Sequence, residues 1–147
     1  MIKKTKRYDS HLGITGWAVG GRWGLERYLY TLHRITGLGI LLFFMIHIFE
    51  SSTRLLGMEI WNTVMGFMEH PIFKTGEALV IIGFAFHATN GIRLILIELG
   101  FAVGKAEEPV YPYKSSINVQ RPLTIVMLVI SILLIVAGGY DLLILGH

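Results

Sequence analysis

The stretch that decides the fold is Tyr28–Phe49, YLYTLHRITGLGILLFFMIHIF, an apolar run whose ionisable side chains lie near its two ends. A helix needs about 20 such residues to cross about 30 Å of hydrocarbon. Further apolar stretches of similar length follow at residues 77–97 and 122–145. Backbone groups inside lipid must bond one another, and none of these stretches alternates as a barrel strand would. The sequence therefore predicts an all-α integral membrane protein with three transmembrane helices.

The composition agrees with this prediction, since 53% of the 147 residues are hydrophobic and 16% are charged. We divide the chain into a polar, interfacial N-terminal segment, residues 1–27, and a transmembrane domain, residues 28–147. The N-terminal segment is basic, but it lacks the apolar core of a cleavable signal peptide. Its residues Trp17 and Trp23 suit headgroup depth. The chain has no cysteine, which excludes thiolate-bound clusters, disulfides and a cysteine nucleophile.

Lysine and arginine are distributed unevenly along the chain. Most of them lie in residues 1–34 and near the loop between the second and third apolar stretches. By the positive-inside rule, the N-terminus is expected in the cytoplasm and the C-terminus outside, in a multi-pass protein of the inner or cytoplasmic membrane. The formal net charge of +3 then reflects orientation and contact with anionic lipid rather than nucleic acid.

The connections carry local signals as well. Trp61, Met65 and Phe67 suggest a short amphipathic helix in the first loop, before His70 and Pro71. Residues 104–120 are typical of a loop, and the dipeptide at 121–122 is expected to start the third helix with proline in its first turn.

Histidines inside the apolar stretches are the candidate functional residues. About 21 Å of helical rise and about 40° of rotation separate His33 from His47, so both lie on one face of the first helix. His87 lies between Gly83 and Gly91 on one face of the second. This glycine–histidine stripe fits two interpretations: a close helix approach with an interhelical hydrogen bond, or a flat surface for a porphyrin whose iron His87 coordinates. Ionisable residues are costly in a membrane, which favours a functional role.

Other polar residues suggest less specific roles. Arg34 and Arg93 lie nearer the membrane surface, where a cation suits haem propionates or a quinone oxygen. His47, close to the end of its helix, fits an orientation toward the headgroups equally well. Three further histidines lie outside the apolar stretches and are expected to be ordinary surface residues: His11, His70 and His147.

Two motifs together resemble a known family. Leu32–Gly37, LHRITG, opens the first helix, and His87–Arg93, HATNGIR, lies in the second. In this order they resemble the cytochrome b membrane-anchor subunit of succinate dehydrogenase (complex II), of the C-subunit type and of a two-haem class. The resemblance covers about residues 28–100.

The resemblance implies that the chain is half of a six-helix heterodimeric anchor bundle made with a second membrane-anchor subunit. An iron–sulfur subunit and a flavoprotein subunit would bind on the cytoplasmic side. Electrons from succinate would reach quinone through flavin and iron–sulfur clusters, near haem b. The chain would have no succinate chemistry of its own and would contribute to quinone reduction.

The resemblance also assigns residues to the haem. His87 matches the axial ligand of the haem iron, and His33 and Arg34 match residues near the propionates, with Arg93 expected close by. His47 resembles the first-helix ligand of two-haem members, in which each haem takes ligands from two helices. One or two haems would be shared with the partner subunit.

For the quinone site, the resemblance points to Arg34, with Thr31 and Tyr30 nearby. Single-haem members usually carry a serine where this chain has Tyr30, so the hydroxyl that bonds the quinone is not assigned.

Other functions fit the same spans. A fumarate reductase would use the same architecture in the opposite direction. A haem-free structural anchor or transporter subunit is a different class, although unbroken helices without a repeat argue against transport. A di-haem cytochrome b of the hydrogenase or formate-dehydrogenase type would usually hold both haems in one longer chain, and the third helix here has no histidine.

Overall fold

The computed structural model describes residue 13 and residues 24–105, 110–112 and 115–145. These residues are helical wherever they are regular, and no strand occurs among them. The α-helices are α1, Gly24–Ser52; α2, Met58–Met68; α3, Pro71–Glu98; and α4, Ile117–Tyr140. A short 3₁₀ helix at Thr53–Leu56 follows α1, and a π-helical turn at Asp141–Leu145 extends α4.

Three of these helical segments are long and apolar enough to cross a membrane. They contain α1, α3 and α4, and they confirm the prediction of an all-α membrane protein with three transmembrane helices. Most of the predicted interfacial segment, with Trp17 and Trp23, lies outside the described residues, as do His11 and His147. Residues up to Leu32 and residues from His33 onward form two separate compact units.

Helix α3 begins at Pro71 rather than at residue 77, because its start is set by a cap and not by hydropathy. His70 has an extended backbone, and its ring Nδ1 accepts a hydrogen bond from the backbone N–H of Ile72 at 3.3 Å. Pro71 takes the first helical position, where its missing N–H costs nothing. His70 is therefore an exposed helix cap, in agreement with its predicted surface position.

Helix α4 also begins earlier than expected. It starts at Ile117, whose backbone N–H donates to the Ser115 hydroxyl at 3.3 Å, so Pro122 lies inside the helix rather than in its first turn. The proline has no N–H to offer the carbonyl of Asn118, yet the helix continues through it. Asn118 and Gln120, together with the two serines before the helix, made this turn resemble a loop in the sequence.

The predicted short helix between α1 and α3 is present as α2. Gly57 precedes it with a φ of 106°, a conformation that favours glycine. The guanidinium of Arg54 lies 5.0 Å from the centre of the Trp61 ring, which ties the 3₁₀ helix to α2.

Helices α3 and α4 pack against each other in antiparallel directions. The Arg93 side chain of α3 bonds Thr124 near the start of α4, and Ile81 lies against Gly138 near its end. A Cβ on Gly138 would come within 2.7 Å of Ile81 Cγ2, so only glycine permits this approach without movement. Residues along the two facing surfaces are buried: Phe86, Asn90 and Arg93 on α3, and Thr124, Met127 and Ser131 on α4.

Helix α1 exposes large apolar side chains along most of its membrane portion, among them Leu38, Leu42, Met45 and Phe49. In water such a surface would be unstable, but lipid tails solvate it as well as another protein would. This surface is therefore suited to lipid or to other membrane helices.

Candidate functional site at the paired histidines

Two of the predicted histidines lie together inside the membrane portion. The ring of His33 on α1 stacks on that of His87 on α3, with ring centres 4.0 Å apart and an angle of 3° between the planes. The sequence placed each residue on its own helix without indicating this contact. The stack makes α1 and α3 neighbours at this depth.

Hydrogen bonds define which ring nitrogen of His87 carries the hydrogen. Its Nδ1 lies 3.0 Å from the backbone oxygen of His33 and 3.3 Å from Oγ1 of Thr36. A carbonyl oxygen can only accept, so this contact assigns the ring hydrogen to Nδ1. Nε2 then carries the lone pair, and no described residue forms a hydrogen bond with it.

Such a ring fits the axial position of a haem. A metal-bound histidine usually donates its second ring N–H to a backbone carbonyl or carboxylate, and offers the other nitrogen to the metal. His87 has both features. Among the described residues, no group of three or more His, Asp or Glu side chains could hold a bare metal ion. His87 could therefore hold a haem, and its role as an axial ligand stays a prediction.

Of the three glycines at this contact, only Gly37 is required by its geometry. A Cβ on Gly37 would lie 2.8 Å from Cε1 of His87, closer than real side chains approach. On α3, the corresponding position on Gly83 is 3.7 Å from Cγ2 of Thr36, and that on Gly91 is 3.6 Å from Cε1 of His33. The predicted stripe therefore faces side chains of α1 at ordinary contact distances. The hydrogen bond from His87 to the His33 carbonyl is the interhelical bond that one interpretation of the stripe predicts, and the porphyrin interpretation stays a prediction.

Two buried polar atoms at or near the site have no hydrogen-bond partner in the described part of the chain. They are Nδ1 of His33 and Nδ2 of Asn90, and Asn90 is 0% exposed. An unpaired buried polar atom costs about 1–3 kcal/mol. His33 therefore has hydrogen-bonding capacity left for a polar group that this chain does not supply.

Arg93 is buried, with 6% of its surface exposed, and it connects α3 to α4. Its Nε donates to Oδ1 of Asn90 at 2.9 Å, and a terminal nitrogen donates to the Thr124 hydroxyl at 3.4 Å. The sequence did not indicate the Asn90–Arg93–Thr124 network, although Asn90 and Arg93 are one helical turn apart. A place for Arg93 near haem propionates stays a prediction.

His47 lies apart from the paired histidines. Its side chain is 56% exposed, its ring stacks on Phe43 at 5.8 Å, and its Nδ1 is 3.7 Å from Oε2 of Glu50. Glu50 and Glu77 also line an otherwise mostly apolar cavity of about 260 Å³ between α1, the end of α2 and α3. The described contacts of His47 are all within α1, and its role as a second haem ligand stays a prediction.

The predicted quinone residues lie near the start of α1. Arg34 and Tyr30 are exposed, whereas Thr31 is buried. The guanidinium of Arg27 lies 5.7 Å from the centre of the Tyr30 ring. The tyrosine that replaces the family serine therefore has a cation beside it, and the quinone role of all three predicted residues stays a prediction.

Comparison with known proteins identifies the family. Residues 4–138 match the family model described as succinate dehydrogenase/fumarate reductase transmembrane subunit. The chain is 32% identical over 69 residues to the succinate dehydrogenase 2 membrane subunit SdhC of Mycobacterium tuberculosis. The matched residues make up 47% of this chain and 51% of that protein. It is 27% identical over 95 residues to the succinate dehydrogenase hydrophobic membrane anchor subunit of Halobacterium salinarum, covering 62% and 73% of the two chains.

The chain thus spans about half the length of the first relative and about three quarters of the second. No solved structure matches it. The family match covers most of the chain and includes the helices that carry His33 and His87. The protein belongs to the family of succinate dehydrogenase/fumarate reductase transmembrane subunits.

Proposed function

We propose that this chain is the membrane-anchor cytochrome b subunit of a succinate:quinone oxidoreductase, in which His87 ligates haem b and the start of α1 forms part of the quinone site. The observation that carries the proposal is the hydrogen bond between His87 Nδ1 and the His33 carbonyl, which leaves Nε2 with a lone pair inside the membrane. Bound there, haem would supply a one-electron redox centre.

The residues around His87 support the same assignment. The unpaired Nδ1 of His33 is a polar atom suited to a haem propionate. Arg34 carries a charge that suits a propionate or a quinone oxygen, with Tyr30 and Thr31 close in sequence. A haem-free anchor would have no need for two intramembrane imidazoles, whose burial is costly.

The family and the exposed apolar surface of α1 support a proposal about the partners of this chain. We propose a second membrane-anchor subunit that completes a six-helix bundle, together with iron–sulfur and flavoprotein subunits. The distribution of lysine and arginine supports a position of these subunits on the cytoplasmic side, with the C-terminus of this chain outside. Fumarate reduction is the alternative direction, and the family description includes both.

The test is the haem content of the complex purified with wild-type chain and with His87→Ala. We expect b-type absorbance in the reduced-minus-oxidised spectrum of the wild type, and at least a tenfold loss of pyridine-haemochrome signal in the variant, since an axial ligand is missing. His70→Asn is the matched control, because it removes a histidine but keeps a residue that can cap α3. A wild-type complex without b-type absorbance, or equal haem in wild type and His87→Ala, would contradict the proposal.

A further inference from the structure

We propose that the Thr36 hydroxyl, together with the His33 carbonyl, positions the His87 ring toward the haem iron and tunes the reduction potential of that iron. The inference rests on the proposed haem ligation by His87. It concerns a residue that the motif contains but to which the sequence assigned no role.

The geometry of three polar atoms supports it. The Thr36 hydroxyl donates to the His33 carbonyl at 3.1 Å, and both oxygens lie close to His87 Nδ1, at 3.3 Å and 3.0 Å. Since the hydroxyl hydrogen points to the carbonyl, the lone pairs of Oγ1 remain to accept from the ring N–H. One ring hydrogen therefore meets two acceptors, which are one turn apart on the same face of α1.

Packing keeps these acceptors in place. The methyl group of Thr36 lies against Gly83, where a Cβ would be 3.7 Å from Cγ2. The His33 ring covers one face of His87, and Gly37 leaves room for its edge. The ring orientation of His87 is thus set by residues of α1.

The chemical consequence follows from the direction of the hydrogen bonds. Acceptors on Nδ1–H increase the basicity of the ring and hence of Nε2. A more basic axial ligand stabilises ferric over ferrous haem, which lowers the reduction potential. Removal of one acceptor should raise the reduction potential of the iron and make the orientation of the His87 ring less fixed.

The experiment compares Thr36→Val with Thr36→Ser in the purified complex. Valine keeps both groups that pack on Gly83 but lacks the hydroxyl, whereas serine keeps the hydroxyl. For Thr36→Val we expect a higher midpoint potential in a redox titration, shifted g values in the ferric low-spin spectrum, and haem affinity reduced about tenfold. Thr36→Ser should resemble the wild type in all three measurements.

The outcomes separate this inference from the proposal on which it rests. Absence of haem b in the wild-type complex would overturn the proposed function before any Thr36 variant is studied. If haem is present and lost in His87→Ala, but Thr36→Val has the wild-type potential and spectrum, the role of Thr36 alone is overturned. Should Thr36→Val not assemble, Thr36→Ala replaces it with less volume beside Gly83, and the same upward shift of the potential is required.

Discussion

Gly37 shows how one missing methyl group controls the position of a ring on another helix. The His87 imidazole approaches α1 so closely that a Cβ at Gly37 would lie 2.8 Å from Cε1 and 3.3 Å from Nδ1. The contact involves the edge of a ring that hydrogen bonds and stacking hold in place, not the end of a flexible side chain. Any substitution must therefore move His87 or separate the helices.

We expect Gly37→Ala to reduce haem content several-fold and to destabilise the complex by about 1–3 kcal/mol, the usual cost of overpacking. The pyridine-haemochrome assay and the thermal unfolding midpoint measure the two effects. Gly39→Ala is the matched control, because nothing lies within 4 Å of its added Cβ while its effect on helix propensity is the same. Equal behaviour of the two variants would show that the space beside Gly37 is unimportant.

At this scale the sequence predicted the residues but not their contacts. His87 and its flanking glycines were identifiable from helical phase, and His33 from its motif. The stack of the two rings depends on the register between α1 and α3, which no single helix encodes. Thr36 could have been noticed, since it follows His33 by one turn and shares its face.

Among the elements, α3 has the central role, since two of its faces contact two different helices. Gly83, His87 and Gly91 face α1, whereas Asn90 and Arg93 face α4. The second face buries a cation in a hydrogen-bonded network. Interhelical hydrogen bonds in membranes contribute about 0.6 kcal/mol on average, but a buried group left without a partner costs about 1–3 kcal/mol.

We therefore expect a graded loss of stability when this network is broken. Thr124→Val should lower the free energy of unfolding by about 0.6 kcal/mol. Arg93→Met should cost about 1–3 kcal/mol, because it removes the donor to the Asn90 side chain. Thermal unfolding of the purified complex ranks the variants by their stability. Lys74→Met, at an exposed lysine of the same helix, should stay within about 0.5 kcal/mol of the wild type, and a loss as large as that of Arg93→Met would contradict this account.

The existence and type of the membrane helices were predictable, because about 20 apolar residues in lipid have few alternatives to a helix. Their ends were not. Pro71 and Ile117 begin their helices outside the predicted apolar stretches, where a histidine ring and a serine hydroxyl accept hydrogen bonds from backbone N–H groups of the first turn. Hydropathy contains no information about such caps.

For the whole molecule, the surface of α1 and the position of His47 raise the question of what lies beside this chain. The exposed apolar side chains of α1 suit a second anchor subunit, in agreement with the proposed six-helix bundle. No sequence of one chain can specify the residues of that partner. The number of haems depends on it, because each haem would take one ligand from each subunit.

His47 provides the test of the two-haem hypothesis. It lies about 21 Å along α1 from His33, so a haem bound to it would be at a different depth from one bound to His87. We expect His47→Ala to remove one of two transitions in a redox titration of haem absorbance and to halve the haem content. The transition that depends on His87 should remain.

The weak contact of His47 with Glu50 provides the control for this experiment. The 3.7 Å pair is exposed on the histidine side, and such pairs contribute about 0–1 kcal/mol, so Glu50→Gln should leave both transitions in place. If His47→Ala and Glu50→Gln both retain the wild-type haem content and titration, His47 is an interfacial residue and the complex has a single haem, at His87. Loss of one transition in His47→Ala alone would instead establish two haems at separate depths, and with them a route for electrons across the membrane.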